Sequence, residues 1–233
     1  MKNLVLFAVV LSFSCNAPVM SGETIKETRQ VDQFSSISLA ISANVYLTQG
    51  SVQKIEIEGD KNSLAEIETV VTGDLLKIKT KSRIGGNLGK VNLYITVPEI
   101  NGLNVAGSGD IMAKSVIKTD EMDMSVSGSG SIHLTELSVH EVSTTITGSG
   151  NIDIESGQAQ SELDVVITGS GSFSGEGFSA DEANVTITGS GNAKVWAVKE
   201  LGTNITGSGS VSYKGNPLVN AISTGSGKTR AVQ

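Results

Sequence analysis

The chain has 233 residues, of which 38% are hydrophobic, 4% aromatic and 18% charged, with 27 glycines, three prolines and a formal net charge of −7. That apolar content argues against disorder, and glycine without proline or a three-residue period excludes collagen. An acidic balance with few aromatics argues against a nucleic-acid binder, which needs a basic face.

Residues 1–14 have the pattern of an export signal. Lys2 supplies a positive start, Leu4 to Leu11 an apolar run, and Ser12-Phe13-Ser14 small residues before a cleavage point. The run is too short to span a bilayer, which takes about 20 apolar residues. Cys15 follows at once and is the only cysteine, so no internal disulfide can form. Its placement resembles the lipobox of bacterial lipoproteins, in which the cysteine is lipidated and becomes the first mature residue. Ser12 stands where that motif has leucine, and Leu11 lies one place too far upstream. Ordinary secretion is the alternative, with Cys15 removed or left free. Residues 15–23 read as a tether. Loss of residues 1–14 removes one lysine and leaves 16 basic residues against 24 acidic ones, or −8. Such a surface suits solubility and does not invite anionic lipid.

Residues 24–105 alternate apolar and polar at Ile37-Leu39-Ile41, Val45-Leu47, Ile55-Ile57, Leu76-Ile78 and Leu93-Ile95-Val97. That is the period of strands with one buried face. A short helix is expected around Ser63 to Thr69, capped by Asn62 or Ser63, and a glycine-rich loop at Arg83 to Lys90. No linker follows, so residues 24–233 read as a single domain.

The rest of the chain is a repeat. Gly-Ser-Gly occurs seven times, starting at Gly107, Gly128, Gly148, Gly169, Gly189, Gly207 and Gly225, in steps of 21, 20, 21, 20, 18 and 18 residues. Two places before successive triplets stand Val105, Val126, Ile146, Ile167, Ile187 and Ile205. Two places after them stand Ile111, Ile132, Ile152, Phe173, Ala193 and Val211, and two further on Ala113, Leu134, Ile154, Gly175, Val195 and Tyr213. A unit of about 20 residues with two or three short strands cannot bury its apolar face alone, but stacked on copies of itself it can. The expected fold is all-β: a right-handed parallel β-helix, a single-stranded solenoid with about 20 residues per coil and Gly-Ser-Gly repeats over residues 105–227. Glycine suits a tight corner with positive φ and close backbone approach, and aligned serine hydroxyls could bond up the stack. A hairpin sandwich would not require the same apolar columns at a fixed step. Ile222 lies three places before Gly225 instead of two, so the last coil is expected to be irregular and to act as a cap.

The segment Glu27-Thr28-Arg29-Gln30-Val31, the phrase Val45-Tyr46-Leu47-Thr48-Gln49-Gly50 and the run from Val105 to Ile111 resemble the putative auto-transporter adhesin, head GIN domain family. The resemblance covers about residues 28–215. It implies a β-helical fold and a cell-envelope address in a family of unknown function, and it supplies no active-site residues. The C-terminal membrane barrel of an autotransporter takes many amphipathic strands, and none is expected after the last triplet.

Candidate chemistry is sparse. Gly227-Lys228-Thr229 and Gly85-Gly86-Asn87-Leu88-Gly89-Lys90 resemble the end of a phosphate-binding loop. Ile222 and Ile84 stand where its first glycine belongs, so both read as loops. The residue after each triplet varies (Asp110, Ser131, Asn151, Ser172, Asn192, Ser210), unlike a calcium-binding β-roll. His133 and His140, the only histidines, lack a second histidine or a cysteine at metal-ligand spacing and read as surface residues. Seven places before five successive triplets, however, stand Glu121, Glu141, Glu162, Glu182 and Glu200, with Asp123, Ser143, Asp164, Asn184 and Gly202 two places on. In stacked coils these glutamates would form a ladder at about 4.8 Å spacing. Like charges that close call for solvent, protons or cations. Glu121, Asp123, Glu141, Glu162, Asp164, Glu182 and Glu200 are therefore candidate ligands for a hard cation such as calcium, against a solvated corner column. No other cofactor is expected. Trp196 should point outward, as a contact residue or packed under the C-terminal segment.

The function expected is a non-enzymatic lipoprotein of the outer membrane or cell surface, secreted or periplasmic if Cys15 is not lipidated. It would act as an adhesin or binding module for a surface glycan or protein. The alternatives are a polysaccharide-acting β-helix enzyme, for which Lys199 is the nearest basic partner to the acidic column, and a structural protein that pairs with its own copies.

Overall fold

The computed structural model describes residues 24–81 and 88–232. The expected signal segment 1–14, the tether 15–23 with Cys15, and most of the loop expected at Arg83 to Lys90 lie outside the described residues. The strands, in chain order, are β1 (Thr24–Arg29), β2 (Ser36–Leu39), β3 (Asn44–Gln49), β4 (Lys54–Asp60), β5 (Ile67–Thr72), β6 (Leu75–Thr80), β7 (Asn92–Val97), β8 (Gly102–Gly107), β9 (Asp110–Lys118) and β10 (Glu121–Gly128). They continue with β11 (Ser131–Gly148), β12 (Asn151–Ile154), β13 (Gly157–Gly169), β14 (Ser172–Gly189), β15 (Asn192–Gly207), β16 (Ser210–Lys214), β17 (Leu218–Gly225) and β18 (Lys228–Ala231). A single helix among the described residues, α1 (Lys61–Glu66), joins β4 to β5.

From β8 onward the chain climbs as a parallel β-solenoid of about six turns, with coils about 20 residues apart. One coil shows the plan. After a Gly-Ser-Gly corner come Ser131–Leu134, then residues 136–139, then Glu141–Gly148. Register shifts at Leu134/Glu136 and Val139/Glu141 mark the other two corners. Within each run the side chains alternate, so Ile132, Leu134, Leu137, Val139, Val142 and Ile146 are buried and their neighbours face out. Stacking places Val105, Val126, Ile146, Ile167, Ile187 and Ile205 one above another. These columns belong to one continuous apolar core. Inward-facing Thr144, almost fully buried, has its hydroxyl bonded to the Asp164 carbonyl of the next coil at 3.1 Å, so no polar group is orphaned there.

The Gly-Ser-Gly corner holds the register. The first glycine of each triplet has φ between +112° and +125°, a region side chains avoid. The third has no room for a side chain. A Cβ on Gly130 would stand 2.2 Å from the carbonyl oxygen of Gly109 below and 2.6 Å from Val105 Cγ1. The corner serines are exposed, and their backbone N–H groups make the bonds that their hydroxyls were expected to make: Ser129 N–H donates to Gly107 O at 2.9 Å, Ser149 to Gly128, Ser170 to Gly148 and Ser190 to Gly169. Size is balanced across one coil as well. Gly175 leaves the space that the Phe173 ring fills, since a Cβ there would meet Phe173 Cε1 at 2.8 Å.

Three expectations are corrected. First, the helix starts and ends earlier than Ser63 to Thr69. Its cap is Asp60, whose carboxylate accepts from the N–H groups of Asn62 and Ser63 and from the Ser63 hydroxyl. Those bonds hold the Asp60 carboxyl below the usual aspartate range. Ile67 to Thr72 is strand instead, turned onto β6 through a two-residue turn with Gly73 at φ +66°. Second, the N-terminal part is partly antiparallel. β1 pairs with β4, β4 with β7, and β5 with β6, and these strands cover the start of the parallel stack. Third, the last coil keeps its register. Gly225 pairs with Gly207, and the displaced residue is Ile222, which stands beside outward Asn204 while Ser223 takes the register position of Ile205; every residue of this end strand is exposed.

Corner sterics make a direct test. Gly130→Ala should destabilise the fold by about 2 kcal/mol or more, because rigid backbone of the coil below cannot yield. Ser129→Ala should stay within about 0.5 kcal/mol. Urea denaturation of both variants measures the contrast.

Candidate functional site

The acidic column is in register. Glu121 pairs with Glu141, Glu141 with Glu162, Glu162 with Glu182, and Glu182 with Glu200, each on the next coil. The ladder ends where Glu200 pairs with Leu218. Two places along, Asp123, Ser143, Asp164, Asn184 and Gly202 stack in the same way. The glutamates begin the third run of each coil, just past a register shift, so they line an outer corner. Adjacent side chains interact: Asn184 Nδ2 donates to Glu162 Oε1 at 2.5 Å. Glu121, Asp123, Glu141, Glu162 and Asp164 line a shallow depression of about 90 Å³. Beside it a groove of about 730 Å³ is lined by Glu99, Lys118, Asp120, Glu121, His140 and Gln160 among others.

His140 is exposed, its Nε2 4.0 Å from Glu141. Lys199, the basic residue weighed as a partner for the column, pairs elsewhere. Its ammonium lies 2.7 Å from Asp181 Oδ2. The hydrogen bond and charge of Asp181 raise its pKa above the usual lysine value. A lysine held more firmly protonated is a poor general base.

The opposite fate meets His133. It faces outward as expected, but it is not a lone surface residue. Asp153 sits beside it on the next coil. His133 Nδ1 lies 2.8 Å from Asp153 Oδ2, and Nε2 lies 3.1 Å from Glu155 Oε1. Spacing along one strand could not show this trio. Adding one coil of 20 residues to position 133 would have pointed to Asp153.

The same outward column carries Met112 below His133, then Tyr46 and Tyr94. The two tyrosine rings stack with centroids 5.3 Å apart, and the Lys26 ammonium sits 4.5 Å from the Tyr94 centroid. Burial and the charge of Glu58 raise the Tyr94 phenol above its usual pKa, so it stays neutral. Trp196 is partly exposed beside Lys214. The phosphate-loop look-alike at Gly227-Lys228-Thr229 lies at a corner and continues as strand β18, where a phosphate-binding loop would open a helix.

A family model described as putative auto-transporter adhesin, head GIN domain matches residues 33–217. Solved structures share the fold. A putative adhesin from Bacteroides fragilis is 24% identical with a TM-score of 0.84, over 91% of this chain and 98% of that one. A putative lipid binding protein from Parabacteroides distasonis is 24% identical with a TM-score of 0.74, over the same shares of 91% and 98%. A putative adhesin from Parabacteroides merdae is 23% identical with a TM-score of 0.69, again over 91% and 98%. Among curated proteins nothing matches.

The glutamate ladder has a measurable consequence. Glu141 has a like charge in register on either side, so Glu141→Gln should raise the melting temperature by roughly 1–2 °C at low salt. Added sodium chloride should narrow that gap by screening. Thermal denaturation of the two chains across a salt series checks both.

Proposed function

This chain belongs to the putative auto-transporter adhesin, head GIN domain family, and we propose that it works as a non-enzymatic binding module of the cell envelope. In this reading Cys15 is lipidated, the tether spaces the solenoid from an outer membrane or cell surface, and the solenoid presents a rigid side to a surface glycan or protein.

One observation carries the reading: charge is concentrated on an open, periodic surface. Residues 99–193 contain 14 acidic residues against two basic ones, Lys114 and Lys118, a balance of −12. Within that stretch Glu121, Glu141, Glu162 and Glu182 recur once per coil in the register of the backbone. A repeating array at strand spacing suits a repeating or extended ligand. Its sign favours neutral or cationic partners and repels polyanions. An enzyme acting on a uronate polymer would have to draw an anionic chain onto this surface, and Lys199 is tied to Asp181. Calcium is the hard cation these oxygens would take, so ligand binding is to be measured with and without it.

The test is a glycan and host-protein array probed with the purified chain, with and without calcium, alongside the triple variant Glu141→Gln, Glu162→Gln and Glu182→Gln. Hits are expected among neutral or amino-sugar glycans or basic proteins, weakened in the triple variant and by added salt. Uronate polymers with calcium should show no turnover. Turnover that Glu162→Ala abolishes would make the protein an enzyme and overturn the reading. Retention on neutral vesicles in place of any array hit would replace it with lipid binding.

A further inference from the structure

The trio of His133, Asp153 and Glu155 is separate from the acidic column, and the reading above uses its two carboxylates only in the charge balance. It is built by the coil stack. His133 and Asp153 are register partners on adjacent coils. The Glu155 backbone is pinned by its N–H, which donates to Leu134 O at 2.9 Å. Donor atoms from all three residues lie within 4.8 Å of one another. The side chains are about one-third to one-half exposed, so the cluster opens to solvent, and each carboxylate faces one ring nitrogen of His133.

The two ring nitrogens have different tasks in this geometry. Asp153 Oδ2 stands 2.8 Å from Nδ1 and sets the ring plane; with a cation bound it would accept the Nδ1 proton. Nε2, 3.1 Å from Glu155 Oε1, would then turn its lone pair to the same ion. A carboxylate on the far nitrogen of a histidine is the usual outer partner of a metal-bound imidazole. A tetrahedral zinc ion with bonds of 2.0–2.2 Å holds its nitrogen and oxygen ligands roughly 3.3 Å apart. The Nε2 to Oε1 gap is within a few tenths of an ångström of that, and Glu155 is long and half-exposed enough to adjust.

We propose that His133 Nε2 and Glu155 bind one divalent zinc-class cation at the solenoid surface, with Asp153 as the positioning residue that holds His133 through Nδ1. The donor set selects the class. An imidazole nitrogen with a carboxylate favours zinc, copper or nickel over calcium and magnesium, which prefer oxygen alone. The remaining positions face solvent and take water, which leaves the ion free to bind a donor group from a second molecule. The site stands whether or not the acidic column binds a ligand.

The experiment uses the full chain carrying Cys15→Ser, so that the lone thiol does not compete, titrated with zinc chloride in a calorimeter. The expected result is one zinc per chain. His133→Ala and Glu155→Gln should abolish that binding or weaken it at least tenfold, while His140→Ala leaves it unchanged. Asp153→Asn should weaken it by about 10–100-fold with the stoichiometry kept. Imidazole nitrogen NMR should show zinc moving the Nε2 resonance of His133 with Nδ1 still protonated. Circular dichroism of each variant confirms that the solenoid is intact. Zinc binding that survives His133→Ala, attachment through Nδ1, or no heat with the Cys15→Ser parent chain would each overturn the assignment.

Discussion

Everything outward on this molecule depends on the vertical hydrogen bonding of one coil to the next. Parallel strands must sit about 4.8 Å apart, and a coil can meet that spacing over its whole circuit only if its corners let the backbone approach as closely as its sides do. The Gly-Ser-Gly corner does this. Its first glycine takes a positive φ, its third leaves no volume, and the serine N–H between them bonds to the coil below. With the corner set, a slip of one residue would turn every buried column outward. The register is thereby enforced by the burial of the Val and Ile columns.

The same register that stacks apolar residues inside stacks polar ones outside. The solenoid therefore converts a sequence period into a spatial array without any folding decision by the outer residues themselves. Glu121 to Glu200 form their ladder against their own electrostatic preference, and exposure to water reduces that penalty. His133 and Asp153 meet for the same reason but as a hydrogen-bonded pair, with 2.8 Å between Nδ1 and Oδ2, so proximity is favourable. One scaffold constraint thus produces a repelling column and a bonded cluster on the same body.

The N-terminal part shows where periodicity stops informing. Residues 24–105 have alternation but no repeat, so pattern located strands such as β2, β3, β4, β6 and β7 without saying what each would pair with. The antiparallel pairing of β1 with β4 joins segments about 30 residues apart, and nothing local specifies it. The cap-like Asn62-Ser63 start carries the expected helix on to Thr69, but Ile67 to Thr72 is strand, because pairing with β6 overrides a local cap signal. In the last coil, Ile222 suggested irregularity, but hydrogen bonding from Gly207 to Gly225 outweighed one misplaced apolar side chain.

The sequence by itself determined the coil, its period, the inward columns and the alignment of the glutamates, because a step of about 20 residues and a side-chain alternation of two are both visible in one dimension. Tertiary structure alone decided the capping of the stack by antiparallel strands, the pairing of Lys199 with Asp181, and the seating of His133 between Asp153 and Glu155. Those depend on which side chains reach one another across coils and corners. Reach is a matter of rotamer and distance in three dimensions, which a spacing along the chain does not contain.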